Sequence, residues 1–322
     1  MAPGSGDPGA APRVLGIGEL LWDLLPAGAR VGGAPFNVTA HLRRLGCDAA
    51  FLTAVGDDDL GQRALAELRG LDIRADLVQV TADAPTGTVA VTLAGGGLPA
   101  YEIRSPVAYE RAGGDAATLA AASAFAPTAV VFGTLAQRFA PVRAATRSIL
   151  AAHPGAMRVY DVNLRDGCWT TPLVAELLAE ASVLKLNEGE VELLAAALDL
   201  PSESLVGFAV AAAARYDLEV VCITQGAAGA TAWSPDGVAS AAGVAIDVVD
   251  TVGAGDAFTA AFVGWLLRGS PVAQALRFGN ALGALVASRA GAIPAWDLAE
   301  LVAFEAAHRG SISTTAPTTP GE

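Results

Sequence analysis

Lysine is all but missing from this sequence: Lys185 is the single one, and the remaining basic side chains besides histidine are arginine. No G-x-x-x-x-G-K-[ST] segment exists, which excludes a P-loop nucleotide site. Cysteine is scarce as well, and Cys47, Cys168 and Cys222 are odd in number and scattered, without metal-ligand or disulfide spacing. They read as thiols of a reducing compartment. His41, His153 and His308 are equally isolated, which argues against a histidine-built metal centre. No apolar run reaches the length that spans a bilayer, and residues 1–12 lack the basic-then-apolar order of a signal peptide. The expected location is cytoplasmic. Positive charge is in deficit too: 20 Lys and Arg against 33 Asp and Glu leave a net charge of -13, which argues against nucleic-acid and anionic-membrane partners. An anionic ligand would have to be held by local features.

What is present in quantity is apolar. With 53% hydrophobic residues in 322, the chain can build one large α/β domain or two smaller ones. Residues 1–12 and 310–322 are rich in Gly, Pro, Ala, Ser and Thr without periodicity and read as disordered tails around a single domain over 13–309. Strands are expected at Val14–Ile17, Ala50–Val55, Ala129–Phe132, Val159–Val162, Val183–Leu186 and Val220–Thr224. Helices are expected at Pro35–Leu45, Leu60–Leu68, Pro141–Ala152, Pro172–Ala179, Glu188–Leu198 and Leu205–Arg215. Such alternation indicates an α/β fold with a mostly parallel central sheet covered by helices on both faces, and ligands bind beyond the carboxyl ends of its strands. The order breaks once. Thr88–Leu93 and Tyr101–Arg104 read as a hairpin around Gly95-Gly96-Gly97, a projection that would cover a cleft or a partner subunit. A second hairpin is expected at Thr231–Ala241.

One stretch carries the most chemistry: Asp250-Thr251-Val252-Gly253-Ala254-Gly255-Asp256-Ala257-Phe258, which ends where an apolar helix, Ala257–Leu267, begins. Glycines there bring unpaired amides close to a ligand, and the start of a helix favours an anion. Asp256 adds a proton acceptor beside that anion, the arrangement phosphoryl transfer requires. A plain turn with a capping aspartate would look similar.

Four other groups recur at expected strand ends. Asp23 and, after Gly32-Gly33, Asn37 could hold sugar hydroxyls, or be a surface acid and a helix cap. Asp161-Val162-Asn163-Leu164-Arg165 offers Arg165 to a phosphate, or leaves it in solvent. Asn187 and Glu190 could organise a hydrated Mg²⁺, or simply cap a helix. Thr224-Gln225-Gly226-Ala227-Ala228-Gly229 is a glycine turn after a strand.

The Asp250–Phe258 stretch closely resembles the C-terminal signature of the PfkB, or ribokinase-like, carbohydrate kinases, and the segments around Asp23 and Asn37 resemble their N-terminal sugar signature. Within that family Gly18-Glu19, Trp22-Asp23, Gly32–Asn37 and Pro106–Glu110 look most like bacterial fructokinases. The resemblance covers roughly Val14–His308. It implies the ribokinase-like fold with a small β lid near 19–34 and 86–112, which could also join two copies as a homodimer. It implies ATP-dependent phosphorylation of a small sugar at a primary hydroxyl, with Asp256 as base and Gly253, Ala254, Gly255 and Arg165 assisting. Asp23, Gly32, Gly33, Asn37 and Arg104 would hold the sugar. Asn187, Thr224, Gly226, Gly229, Gly253, Gly255 and Asn280 would face the nucleotide, and Glu190 would hold Mg²⁺ through water. A potassium-type site would draw on Asp250, Val252, Val286 and Gly291.

Two departures stand out. Glu110 lies where similar sequences have Asp, and Ala227-Ala228 are bare where many relatives carry a lysine or acid. Fructose is the first expectation for the acceptor, with 2-keto-3-deoxygluconate, ribose or a nucleoside as alternatives, and a non-catalytic sugar- or nucleotide-binding regulator as a reading of another class. A dinucleotide oxidoreductase is excluded because no G-x-G-x-x-G follows the first strand.

Overall fold

A strand apolar on both faces needs a helical layer on each, and the first strand of this chain sets that pattern. The computed structural model describes residues 10–25, 28–93 and 99–308. In chain order the elements are β1 (Arg13–Ile17), β2 (Leu21–Leu25), β3 (Gly28–Gly32), α1 (Ala34–Arg44), β4 (Asp48–Gly56), α2 (Asp59–Gly70), β5 (Val78–Thr81), β6 (Gly87–Leu93) and β7 (Pro99–Ile103). There follow α3 (Ala116–Ala124), β8 (Ala129–Gly133), α4 (Ala140–Ala152), β9 (Met157–Asp161), α5 (Thr171–Glu180), β10 (Val183–Asn187), α6 (Glu188–Leu198) and α7 (Leu205–Tyr216). The chain continues through β11 (Val220–Thr224), β12 (Gly229–Ser234), β13 (Gly237–Ala242), α8 (Ala254–Leu266), α9 (Val272–Ala287) and α10 (Leu298–His308).

The central sheet runs β13-β12-β11-β10-β9-β8-β1-β4-β5. Its strands pair in parallel from β11 to β5, and only β12 and β13 turn back antiparallel. Val14 packs with α1, α8 and α9 on one face, while Leu15 and Ile17 pack with α4 to α7 on the other. Alternation within β1 therefore builds two separate cores. The chain has the expected ribokinase-like α/β architecture, and every parallel strand delivers its carboxyl end to the same edge.

A second sheet, β3-β2-β6-β7, occupies the segments where the lid was expected. Asp23, expected after the first strand and within 19–34, sits inside β2, opposite Arg30 of β3 and Val89 of β6. The run Leu20–Leu25 hides this strand because it shows no clean polar alternation: Trp22 is buried against α2, its Nε1 donating to Leu60 O at 3.0 Å with Arg63 4.3 Å above its ring. The glycine turn at 95–97 lies outside the described residues, although β6 and β7 pair antiparallel as a hairpin should.

Other differences are local. The expected tail over 1–12 is too long, because Pro12 O accepts the Asp48 amide at 2.9 Å and so enters the sheet; residues 1–9 and 309–322 lie outside the described residues. Helix α3 has no periodic apolar face to announce it, and Asp115 starts it by accepting the Thr118 amide at 2.8 Å. Among the described residues no helix is long and apolar enough to cross a membrane.

Candidate active site

Apart from Thr259, helix α8 is apolar on every side from Ala257 to Trp265 and is accordingly buried. Phe258 stacks on Phe262 with ring centroids 5.9 Å apart, and Trp265 stacks on Phe278 of α9 at 3.8 Å. A helix so held gives its first turn a fixed address. That turn begins three residues earlier than the apolar pattern alone predicts, at Ala254. Gly253 enters it at φ 78°, a left-handed conformation, and a Cβ there would lie 2.5 Å from Ala292 Cα. No side chain caps the helix. The amides of Gly255 and Asp256, which a helix cannot satisfy internally, therefore point out of its open end.

Asp256 stands half-buried at this end. Asn37 of α1 donates from Nδ2 to Asp256 Oδ2 at 2.8 Å, which joins the two signatures of the sequence across 219 positions. Burial pushes Asp256 up to about 6; Asp161 adds to the rise, while the Asn37 hydrogen bond, Lys185 and Arg165 oppose it. Asn37 itself is buried, with Oδ1 unpartnered. Gly33 precedes it at φ 121°, where a Cβ would press within 2.2 Å of Glu19 O, and a Cβ on Gly32 would come within 3.0 Å of Asp23 Oδ2. Gly32 lets the chain pass close to the Asp23 carboxylate, and Gly33 lets it pass the Glu19 carbonyl.

Asp23 is itself raised by burial, with Arg165 opposing. Arg165 lies after β9, where Nη1 donates to Asn163 Oδ1 at 2.7 Å and to Leu164 O at 3.1 Å. Its charge bears on Glu19, Asp23 and Asp256 alike, so this exposed cation serves a pocket of carboxylates. Arg104 lies exposed just past β7, its amide bonded to Thr88 O. Glu110 keeps Oε1 buried and unpartnered.

On the other side of Asp256 the strands β10 and β11 end. Asn187 and Glu190 make a capping box: Glu190 N donates to Asn187 Oδ1 at 3.0 Å and Asn187 N to Glu190 Oε2 at 2.8 Å. Glu190 Oε1 also accepts the Leu164 amide at 2.7 Å, which ties the Arg165 loop to α6. Thr224 closes β11, and Gly226 and Gly229 follow at φ 55° and 106°. A Cβ on Gly229 would strike Ala241 O at 2.1 Å, so the turn packs directly on the end of β13. Asn280 from α9 supports the same place, donating to Ala241 O at 2.9 Å and Ala242 O at 3.0 Å. Its amide is thus engaged by the backbone. Asp250 accepts the Val252 and Gly291 amides at 3.0 and 2.9 Å, drawing together the loops that hold Val252 and Gly291, and its own amide donates to Ala287 O beside Val286 at the end of α9. Among the described residues no three His, Cys, Asp or Glu converge on a metal-sized site.

Sequence reasoning gave no role to four residues found at or beneath the site. Glu19, at the end of β1, is only 5% exposed, its Oε2 has no partner, and burial raises it to about 7. Lys185, Asp161 and Thr259 form a buried network under α8. Lys185 was noted for its solitude and Asp161 as part of a motif. Their pairing depends on the register of β9 against β10, for which a single sequence gives no signal.

The chain is similar to proteins described as fructokinases. Probable fructokinase-2 of Arabidopsis thaliana is 29% identical over 311 residues, spanning 88% of this chain and 92% of that protein. The structure of fructokinase from Vibrio cholerae O395 in its fructose, ADP and calcium ion bound form matches with a TM-score of 0.77 at 25% identity, over 92% of this chain and 99% of that one. Fructokinase from Xylella fastidiosa with bound ATP shares the fold at a TM-score of 0.79 and 23% identity, over 92% and 99% of the two chains. The model of the pfkB family carbohydrate kinases matches residues 27–298, from the lid to the start of α10. With the uncapped helix and its aspartate inside that span, the chain belongs to the pfkB family of carbohydrate kinases.

Proposed function

We propose that this carbohydrate kinase transfers the γ-phosphoryl group of ATP to a primary hydroxyl of fructose. The observation that carries the reading is the contact between Asn37 and Asp256, which sets a proton acceptor at the meeting point of a hydroxyl-binding half and an anion-binding half. Asp256 takes the proton of the sugar hydroxyl, the hydroxyl oxygen bonds to the γ-phosphorus, and the bond from phosphorus to the β-phosphate oxygen breaks to release ADP. The amides of Gly255 and Asp256 and the guanidinium of Arg165 stabilise charge on the moving group. Asp23, Asn37 and Arg104 orient the sugar, and the lid sheet excludes water from it.

Thr224, Gly226 and Gly229 offer backbone to the nucleotide, with Asn280 bracing that turn. A hydrated Mg²⁺ suits Glu190: each carboxylate oxygen already accepts one amide and retains a lone pair for a water of the ion's shell. When bound, the ion would neutralise phosphate charge. A monovalent cation would sit where Asp250 draws the loops of Val252 and Gly291 together beside Val286 near the end of α9.

The relatives named above as fructokinases favour fructose, and the unpartnered Glu110 carboxylate is the feature that would favour another small acceptor instead. An ADP-release assay with ATP and Mg²⁺ across fructose, 2-keto-3-deoxygluconate, ribose and nucleosides decides between them. Asp256→Asn should lower turnover with fructose by at least ~10³-fold while fructose binding stays measurable. Turnover in that variant near wild type would overturn the mechanism, and fructose ranking below another acceptor would overturn the substrate.

A further inference from the structure

The only lysine of the chain is buried directly beneath the anion cradle. Lys185 is 6% exposed and lies opposite Asp161, itself 3% exposed, in the β9–β10 register. Its Nζ donates to Asp161 Oδ1 at 3.1 Å and Oδ2 at 3.3 Å. Thr259, fully buried on α8, donates its hydroxyl to Asp161 Oδ2 at 2.7 Å and lies 3.0 Å from Gly255 O. A methyl group on Gly255 would come within 3.6 Å of Lys185 Nζ. The sheet is therefore bonded to the first turn of α8 through two charged side chains and one hydroxyl.

Burying an ion pair seldom adds stability over apolar side chains of the same shape. Its position suggests another role. We propose that the Lys185–Asp161 pair, acting through Thr259, is a positioning element of the phosphoryl-transfer site that fixes the first turn of α8 and balances the charge beneath Asp256. The inference rests on Asp256 acting as the base.

The charges around Asp256 make the proposal specific. Asp161 from β9 raises the proton affinity of Asp256, whereas Lys185 from β10, Arg165 from the loop after β9 and the Asn37 amide from α1 lower it. Glu19 at the end of β1 feels the Asp256 charge as well. Burial opposes the Lys185 ammonium, yet Asp161, Glu190 and Asp256 together hold it above its ordinary range, so it stays charged throughout the working pH range. Removing the two partners should consequently move the base in opposite directions. Without Lys185 the base holds its proton more tightly and the acid limb of activity shifts upward; without Asp161 the limb shifts downward.

The test is the pH profile of kcat/KM for fructose, with ATP and Mg²⁺, in Lys185→Met, Asp161→Asn and the double variant. The expected result is an acid limb raised by about one pH unit in Lys185→Met, lowered by about one unit in Asp161→Asn, and restored to within about half a unit of wild type in the double variant. Where Lys185→Met fails to fold because it leaves Asp161 unpaired, Asp161→Asn and the charge-free double variant still carry the comparison. A merely structural pair would lower activity at every pH and leave the limb in place, and that outcome would overturn the proposal. Asp256→Asn separates the two claims. If it remains active, the assignment of the base fails; if it is inactive while the limb of every pair variant coincides with wild type, the base stands and only the positioning role fails.

Discussion

Replacing Glu19 with glutamine should stabilise the protein at alkaline pH and leave it nearly unchanged at acid pH. Glu19 is 5% exposed, and its Oε2 finds no partner. Burial drives it from 4.5 to about 7; the amides of Glu19 and Ala136 and the charge of Arg165 work against the rise, and Asp256 adds to it. Between those two values the folded chain holds a proton that the unfolded chain has released. The stability this confers is complete below 4.5 and is lost as pH rises through 7. A difference of about 2.5 units corresponds to roughly 3 kcal/mol as an upper bound, since each unit is worth ~1.4 kcal/mol. Glutamine keeps the shape and one acceptor oxygen without the charge. Urea unfolding of both forms at pH 5 and pH 8.5 measures the effect. The variant should match wild type within about 1 kcal/mol at pH 5 and exceed it by ~2–3 kcal/mol at pH 8.5, a rise on the order of 5 °C in Tm. A difference of the same size at both pH values, or a variant weaker at both, would refute burial of an ionisable carboxyl as the cause.

Gly253→Ala should lower stability by at least ~1–2 kcal/mol, because alanine is strained at φ 78° and its Cβ would meet Ala292, and should cut turnover more than tenfold; thermal melts and initial rates check both. His41 is buried and neutral, accepting from Trp296 Nε1 at 3.1 Å and lying 2.9 Å from Ala292 O through Nε2. Burial lowers it from 6.5 to about 4, so its contribution is complete above 6.5 and is lost as pH falls through 4. His41→Gln should flatten the fall in Tm between pH 6.5 and 4, and an unchanged slope would exclude His41 as its source.

The parallel sheet was legible because its strands are mostly apolar runs between helical segments, a pattern that tertiary contacts only reinforce. The cradle was legible because glycine, small residues and one aspartate have few other reasons to precede an apolar helix. The strand that carries Asp23 left no clear pattern for a physical reason: β2 buries Trp22 in the core while Asp23 stays half-exposed, among leucines that blur the period of two. For Asn187 and Glu190 two readings stood side by side, and the structure realises the capping box, a geometry that leaves room for a water-mediated ion. Two contacts had no local trace at all. Asn37 on Asp256 and Lys185 on Asp161 join residues 219 and 24 positions apart, and both follow from how strands and helices align rather than from any spacing in the chain.

Trp22 has a practical consequence beyond its packing. It sits on the lid strand beside Asp23, its indole N–H is bonded to α2, and the Arg63 guanidinium covers its ring. The molecule thus carries an optical reporter where the second sheet meets α2. In a variant whose other four tryptophans are replaced by phenylalanine, emission from Trp22 would follow the arrival of a sugar at Asp23 in real time, without a coupling enzyme and without turnover.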